Sequence, residues 1–173
     1  NGLKMYASRS IVTDRNLNIL GQTQDSENKV SYYNAMVQNI CPGHTQVFNK
    51  EVVLELKENY SDKIFVIDWW IYLLVSATGK LIFDRKCTVK HRQHGVNSAG
   101  YELNFFKKTK NRMINLKKYK KSPVSEQLYS FFEIYKHKMK EEYKNETKEF
   151  LNSQVNIFER VKYILKSKVF RFG

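Results

Sequence analysis

The rhythm of apolar and polar positions changes near residue 100. Before it the pattern is short and mixed. Residues 3–12 have the β-branched and aromatic content of a strand, and Asp14 to Asn18, with Gly21, reads as a turn leading into polar loop. Val30, Tyr33, Ala35, Met36, Val37 and Ile40 supply most of an apolar face, which predicts a helix from about Lys29 to Ile40, broken by Pro42-Gly43. Thr45 to Phe48 reads as a short strand. Asn49 reads as the N-cap of a helix through Glu58, because its side-chain oxygen can accept an otherwise unpaired backbone N–H. From Asp68 to Gly79 the apolar content is nearly continuous, the pattern of a buried helix with a polar start and a glycine stop. Leu81–Phe83 and Cys87–Arg92 read as two strands joined by a charged turn. Beyond Gly100, residues 101–116, 124–143 and 146–167 read as three amphipathic helices, with 117–123 as the linker. The expected organisation is an α/β unit over residues 1–100, then a basic helical segment over 101–173.

Composition supports a globular chain. Its 173 residues are 42% hydrophobic, enough for a buried core in one domain. The two cysteines, Cys41 and Cys87, cannot form a disulfide framework and lie in no metal-finger spacing, so they are expected as reduced thiols of a cytoplasmic protein. The longest apolar run, Ile67 to Ala77, is too short to span a bilayer. The formal net charge is +13, and between Leu103 and Ser125 eight Lys or Arg residues occur without an acid. Such a field attracts phosphates, whether on lipid headgroups, nucleic acid or a charged substrate.

Two segments could carry chemistry. Asp68 heads a buried helix beside Trp69 and Trp70, where apolar walls meet a polar opening. A carboxylate there serves as a helix cap or as an acid–base group, and the tryptophans serve as core or as a platform for a sugar ring. The second segment is His91-Arg92-Gln93-His94-Gly95-Val96-Asn97. On a strand leading into a glycine loop its two histidines point different ways, which disfavours a two-histidine metal pair. His94 alone could ligate a metal, and Arg92 could clamp a diphosphate or pair with a surface acid.

Taken in order, Gly43-His44-Thr45 with Asn49, Asp68-Trp69-Trp70, and Arg92-Gln93-His94-Gly95 with Asn97 resemble motifs of the rhamnosyltransferase-like family 2 glycosyltransferases. The resemblance covers roughly residues 3–100. Ile67, His44 and His91 stand where that family commonly has His, Cys and Tyr. The resemblance implies the second, acceptor-side half of a GT-A-like (Rossmann-like) domain, followed by the C-terminal helices. It assigns Asp68 as general base for an attacking acceptor hydroxyl. Gly43, His44 and Thr45 fall on the acceptor-pocket wall, and Trp69 and Trp70 fall beside it. Arg92 and Asn97 fall on the loop facing the donor diphosphate, with His94 as a metal ligand. Its partners are a nucleotide-sugar donor and a saccharide or lipid-linked acceptor, in bacterial cell-envelope or capsular polysaccharide synthesis. The family's donor half carries an Asp-x-Asp that holds Mg or Mn on the diphosphate. No Asp-x-Asp occurs here and the chain opens on Asn1, so a donor half upstream is expected, and the 173-residue piece is expected to be inactive alone.

The run over 103–125 interleaves apolar and basic residues. It reads as a surface for anionic membrane at the inner face of the plasma membrane, or as a solvated face of a helical cap. The rival function is a single-stranded nucleic-acid-binding or structural interaction domain, suggested by a pI near 9.6 and by eleven Tyr and eleven Phe. Nucleic acid is the weaker partner, because the aromatics fall in segments expected to be buried and no nucleic-acid motif is present.

Overall fold

The computed structural model describes residues 2–93 and 123–171. The expected helix over 101–116, most of the 117–123 linker, His94 and Asn97 therefore lie outside the described residues. What is described is a mixed α/β arrangement with a four-stranded mixed sheet and six α-helices.

Strand β1 (Lys4–Thr13) is the centre of the sheet. It pairs antiparallel with β2 (Ile19–Gln22) at one end and with β3 (Val47–Phe48) at the other, and parallel with β4 (Lys80–Arg92). The expected turn after β1 is present. The Asp14 carboxylate accepts the N–H groups of Asn16 and Asn18 at 2.8 Å, and Leu17 takes a left-handed φ of 67°. Gly21 corrects the reading, because it lies inside β2 and not in loop: the turn is a hairpin turn.

The two strands expected from Leu81 to Arg92 are one. Ser8 pairs with Asp84 and the next residue, Arg9, with Cys87, so the charged Arg85-Lys86 is a bulge within β4. The Asp84 carboxylate accepts the Lys86 N–H at 2.8 Å and the Tyr6 hydroxyl at 2.9 Å, and these contacts hold its pKa below the usual carboxylate range. A parallel neighbour supplies this pairing, and nothing local announces it.

Helix α1 (Tyr32–Ala35) is a single turn, much shorter than the expected 29–40. Ser31 caps it through its hydroxyl. The Tyr72 hydroxyl then engages the Ser31 backbone and the Asn34 side chain, so tertiary contacts bind this segment where a longer helix would have bonded itself. Helix α2 (Lys50–Glu58) starts where expected. Asn49, however, does not cap it with its side chain. The amide accepts the Lys4 N–H at 3.0 Å and donates to the Gly2 carbonyl at 2.8 Å, stitching α2 to the start of β1.

Helix α3 (Ile67–Thr78) is the axis of the core. Trp70 to Val75 are all buried, with Met5, Ala7 and Phe83 from the sheet in the same cluster. Its stop is Gly79, where a Cβ would lie 2.5 Å from the Leu3 carbonyl oxygen, so only glycine lets β4 enter the sheet there.

The helices expected over 124–143 and 146–167 are divided differently, into α4 (Pro123–Tyr135), α5 (Glu141–Asn152) and α6 (Ile157–Ile164). The first break falls at Met139, which is extended and buried: its burial turns the chain where no Gly or Pro would have marked a stop. Leu128, Phe131, Phe132 and Tyr135 of α4 join the cluster formed by α3 and the sheet. The Tyr32 hydroxyl meets Thr147 Oγ1 at 2.7 Å, tying α5 to α1. The segment after residue 122 thus shares one core with the α/β part.

Candidate functional site

In a β–α–β passage with parallel strands, the connecting helix runs back along the sheet, so its N-terminus lies at the carboxyl ends of the strands. That is the usual binding edge of an α/β sheet. Helix α3 precedes β4, which is parallel to β1, and Asp68 sits in the first turn of α3.

The capping alternative for Asp68 is corrected by this geometry. The N-cap of α3 is Val66, and the carboxylate leaves its own helix to accept the Gly43 N–H through Oδ2 at 2.8 Å. The N–H groups of Phe65 and Val66 are accepted by Gln127 Oε1 of α4 at 2.9 and 3.1 Å. A carboxylate in a first helical turn still gains from the helix dipole. Its Oδ1 is buried and meets no donor among the described residues.

The chain opposite Asp68 is a tight turn. After Cys41-Pro42, Gly43 to Thr45 form one 3-10 turn, closed by the Thr45 N–H and hydroxyl on the Pro42 carbonyl, both at 2.9 Å. Gln46 fastens it. Its Nε2 donates to the Cys41 carbonyl at 2.6 Å and to the Asp68 carbonyl at 2.8 Å. A Cβ on Gly43 would lie 3.1 Å from Asp68 Cβ and 3.2 Å from Oδ2, so glycine is what allows this approach. Burial, with the nearby Asp68 charge second, pushes the Cys41 thiol far up and leaves it unreactive.

His44 faces the sheet. Its Nε2 lies 2.7 Å from the buried Ser10 hydroxyl of β1, and its ring stacks on His91 of β4 with centroids 4.4 Å apart and planes 16° apart. Partial burial first, and His91 second, lower the His44 pKa, with Asp68 opposing them. A neutral ring is therefore favoured.

Of the residues singled out from sequence, Gly43, His44 and Asp68 come together here. Thr45 is buried and spends its hydroxyl on Pro42, so its part is to hold the turn. Trp69 is half-buried and its indole N–H donates to the Ala35 carbonyl at 2.6 Å. Trp70 corrects the expectation of a sugar platform. It has no exposed surface and packs edge-on against Phe131, with centroids 5.5 Å apart. Arg92 is exposed at the end of β4, one residue beyond His91 and so on the opposite face of the strand. Among the described residues no group of three or more His, Cys, Asp and Glu side chains gathers as a metal site, and His94 and Asn97 lie outside them.

Ser10, Gln46, His91 as a stacking partner, and Gln127 are the positions around the Asp68 turn that the sequence did not reveal. Each acts across a long separation, as in the 62 and 61 residues between Gln127 and the Phe65 and Val66 N–H groups it accepts. Elsewhere, a shallow depression of about 500 Å³ opens on the outer face of the sheet, lined by Lys4, Tyr6, Val47, Asn49, Lys80 and Ile82 among others. It contains no acid and lies at the opposite end of β1 from Ser10, so it is distinct from the Asp68 turn. Comparison with protein-family models, curated proteins and solved structures finds no match to this chain.

Proposed function

We propose that this chain is the acceptor-side part of a GT-A-like glycosyltransferase of the rhamnosyltransferase-like family 2 type, with Asp68 as its general base. The observation that carries the reading is the convergence of two separated motifs, Gly43-His44 and Asp68, at the carboxyl-end edge of β1 and β4. There the carboxylate is fixed by one backbone N–H, and its second oxygen, buried, meets no donor among the described residues.

In this reading an acceptor hydroxyl donates to the Asp68 carboxylate and loses its proton as its oxygen attacks the anomeric carbon. The nucleoside diphosphate then departs with the electron pair of the glycosidic C–O bond, inverting the centre. Gly43 leaves room for the carboxylate, Gln46 holds the turn in place, and neutral His44 offers the wall of the acceptor pocket a polar edge. Arg92, Asn97 and His94 are proposed toward the donor diphosphate, as the resemblance places them. A divalent metal belongs to the donor side of that family; the proton transfer at Asp68 does not depend on one.

Turnover of uridine- or thymidine-diphosphate sugars by the full-length protein is the test. Asp68→Asn preserves size and a hydrogen-bond acceptor for Gly43, so folding should persist while kcat falls by on the order of 10²–10⁴-fold, the usual worth of a positioned base. Unchanged kcat in a folded Asp68→Asn protein would remove Asp68 from the chemistry. Absence of any sugar transfer, with salt-sensitive oligonucleotide binding in its place, would favour the nucleic-acid reading.

A further inference from the structure

Helix α6 meets the rest of the molecule along one side. Among its described side chains the buried one is Tyr163, whose hydroxyl donates to Glu146 at 2.6 Å and whose ring meets Phe150 edge-on at 5.7 Å. At 100° per residue, Phe158, Val161, Ile164 and Leu165 fall in a single arc of roughly 120°, centred nearly opposite Tyr163. These four are 81%, 50%, 70% and 81% exposed. Arg160 and Lys162 border the arc, one on each side, and the only acid from 155 to 171, Glu159, falls toward the Tyr163 side.

Asn156 Oδ1 caps the helix at its start by accepting the Glu159 N–H at 2.9 Å, and the chain that follows the helix ties it to α1. After it, the Lys168 ammonium sits over the Tyr33 ring at 5.7 Å and the Phe170 carbonyl accepts from Asn34 at 3.2 Å. The fold therefore holds an apolar stripe outward.

We propose that α6 is a membrane-docking helix that lies in the interface of an anionic bilayer, with Phe158, Val161, Ile164 and Leu165 among the acyl chains and Arg160 and Lys162 at the headgroup phosphates. The charge pattern selects this occupant. Cations on both borders of an apolar stripe match a plane of phosphates, whereas a protein groove would have to supply acids along two parallel rims. The inference stands apart from the glycosyl-transfer reading and from the basic run over 103–125.

Co-sedimentation of the full chain with vesicles of phosphatidylcholine plus phosphatidylglycerol, against phosphatidylcholine alone, tests it. The full chain should pellet with the anionic vesicles, and the double variant Phe158→Ser/Leu165→Ser should lower that partition by on the order of tenfold or more. Both side chains are exposed, so the variant should keep the parent's thermal midpoint. Lys162→Glu should weaken binding to anionic vesicles only. Partition unchanged by the double variant would overturn the proposal and leave 103–125 as the binding element. Concentration-dependent self-association that the double variant abolishes, without vesicle binding by the parent, would also overturn it and make the stripe a contact between copies.

Discussion

His44 shows how much a single ring depends on what surrounds it. Its sequence neighbours suggest only a polar residue in a glycine turn, yet partial burial first, His91 second and Asp68 in opposition set its protonation. The folded pKa lies below that of a free histidine, so as pH falls the unfolded chain binds this proton first. His44 therefore contributes stability above the unfolded pKa and loses it as pH falls toward the folded one. Between about pH 7 and pH 5 the urea midpoint should decline, and His44→Gln should flatten that decline. The carboxylates whose pKa values are lowered, among them Asp14, Asp25 and Asp84, lose their contributions as pH falls from the ordinary carboxylate range toward their lower folded values, on the acidic side of the His44 window. An identical slope in wild type and His44→Gln would contradict the assignment. Asp68 was legible as a candidate because it heads a buried helix beside two tryptophans, where apolar walls meet a polar opening. Its partner, the Gly43 N–H, was not, since 25 residues separate them.

At the scale of elements, the ends of helices divide into local and borrowed ones. Asn156 caps α6 with its own side chain, three residues ahead of Glu159, a signal present in the sequence. Helix α3 borrows its cap: Gln127 of α4 is fully buried and accepts both Phe65 and Val66 N–H groups. Gln127→Ala should cost about 0.5–1.5 kcal/mol, the usual net worth of a hydrogen bond at a part-buried site, measured by urea unfolding. Gln127→Glu keeps the acceptor and places negative charge at a helix N-terminus, so it should recover part of that loss. Equal losses in the two variants would argue for packing in place of the cap. Strand β4 tells the same story in reverse. Its charged Asp84-Arg85-Lys86 has the composition of a turn, but Asp84 pairs with Ser8 and Cys87 with Arg9, which leaves Arg85-Lys86 as a bulge.

For the whole molecule, the common core of α3, α4 and the sheet matters most. Trp69 and Trp70 sit on α3, between the sheet and the C-terminal helices, and Trp70 touches Phe131 of α4 directly. Unfolding followed by tryptophan fluorescence and by far-ultraviolet circular dichroism should then give coincident single transitions. Separate transitions would mean that the helices after residue 122 form a unit of their own. Local sequence specified a strand near residues 3–12, the buried α3 with its Gly79 stop, the start of α2 and the amphipathic character of the tail, because each rests on local periodicity or on a residue's own backbone preference. Tertiary structure alone decided that β1 takes a parallel partner, that Met139 breaks a helix, that Trp70 belongs to the core, and that Gly43 and His44 face Asp68. Those outcomes depend on which groups meet across tens of residues, and local patterning carries no record of such meetings.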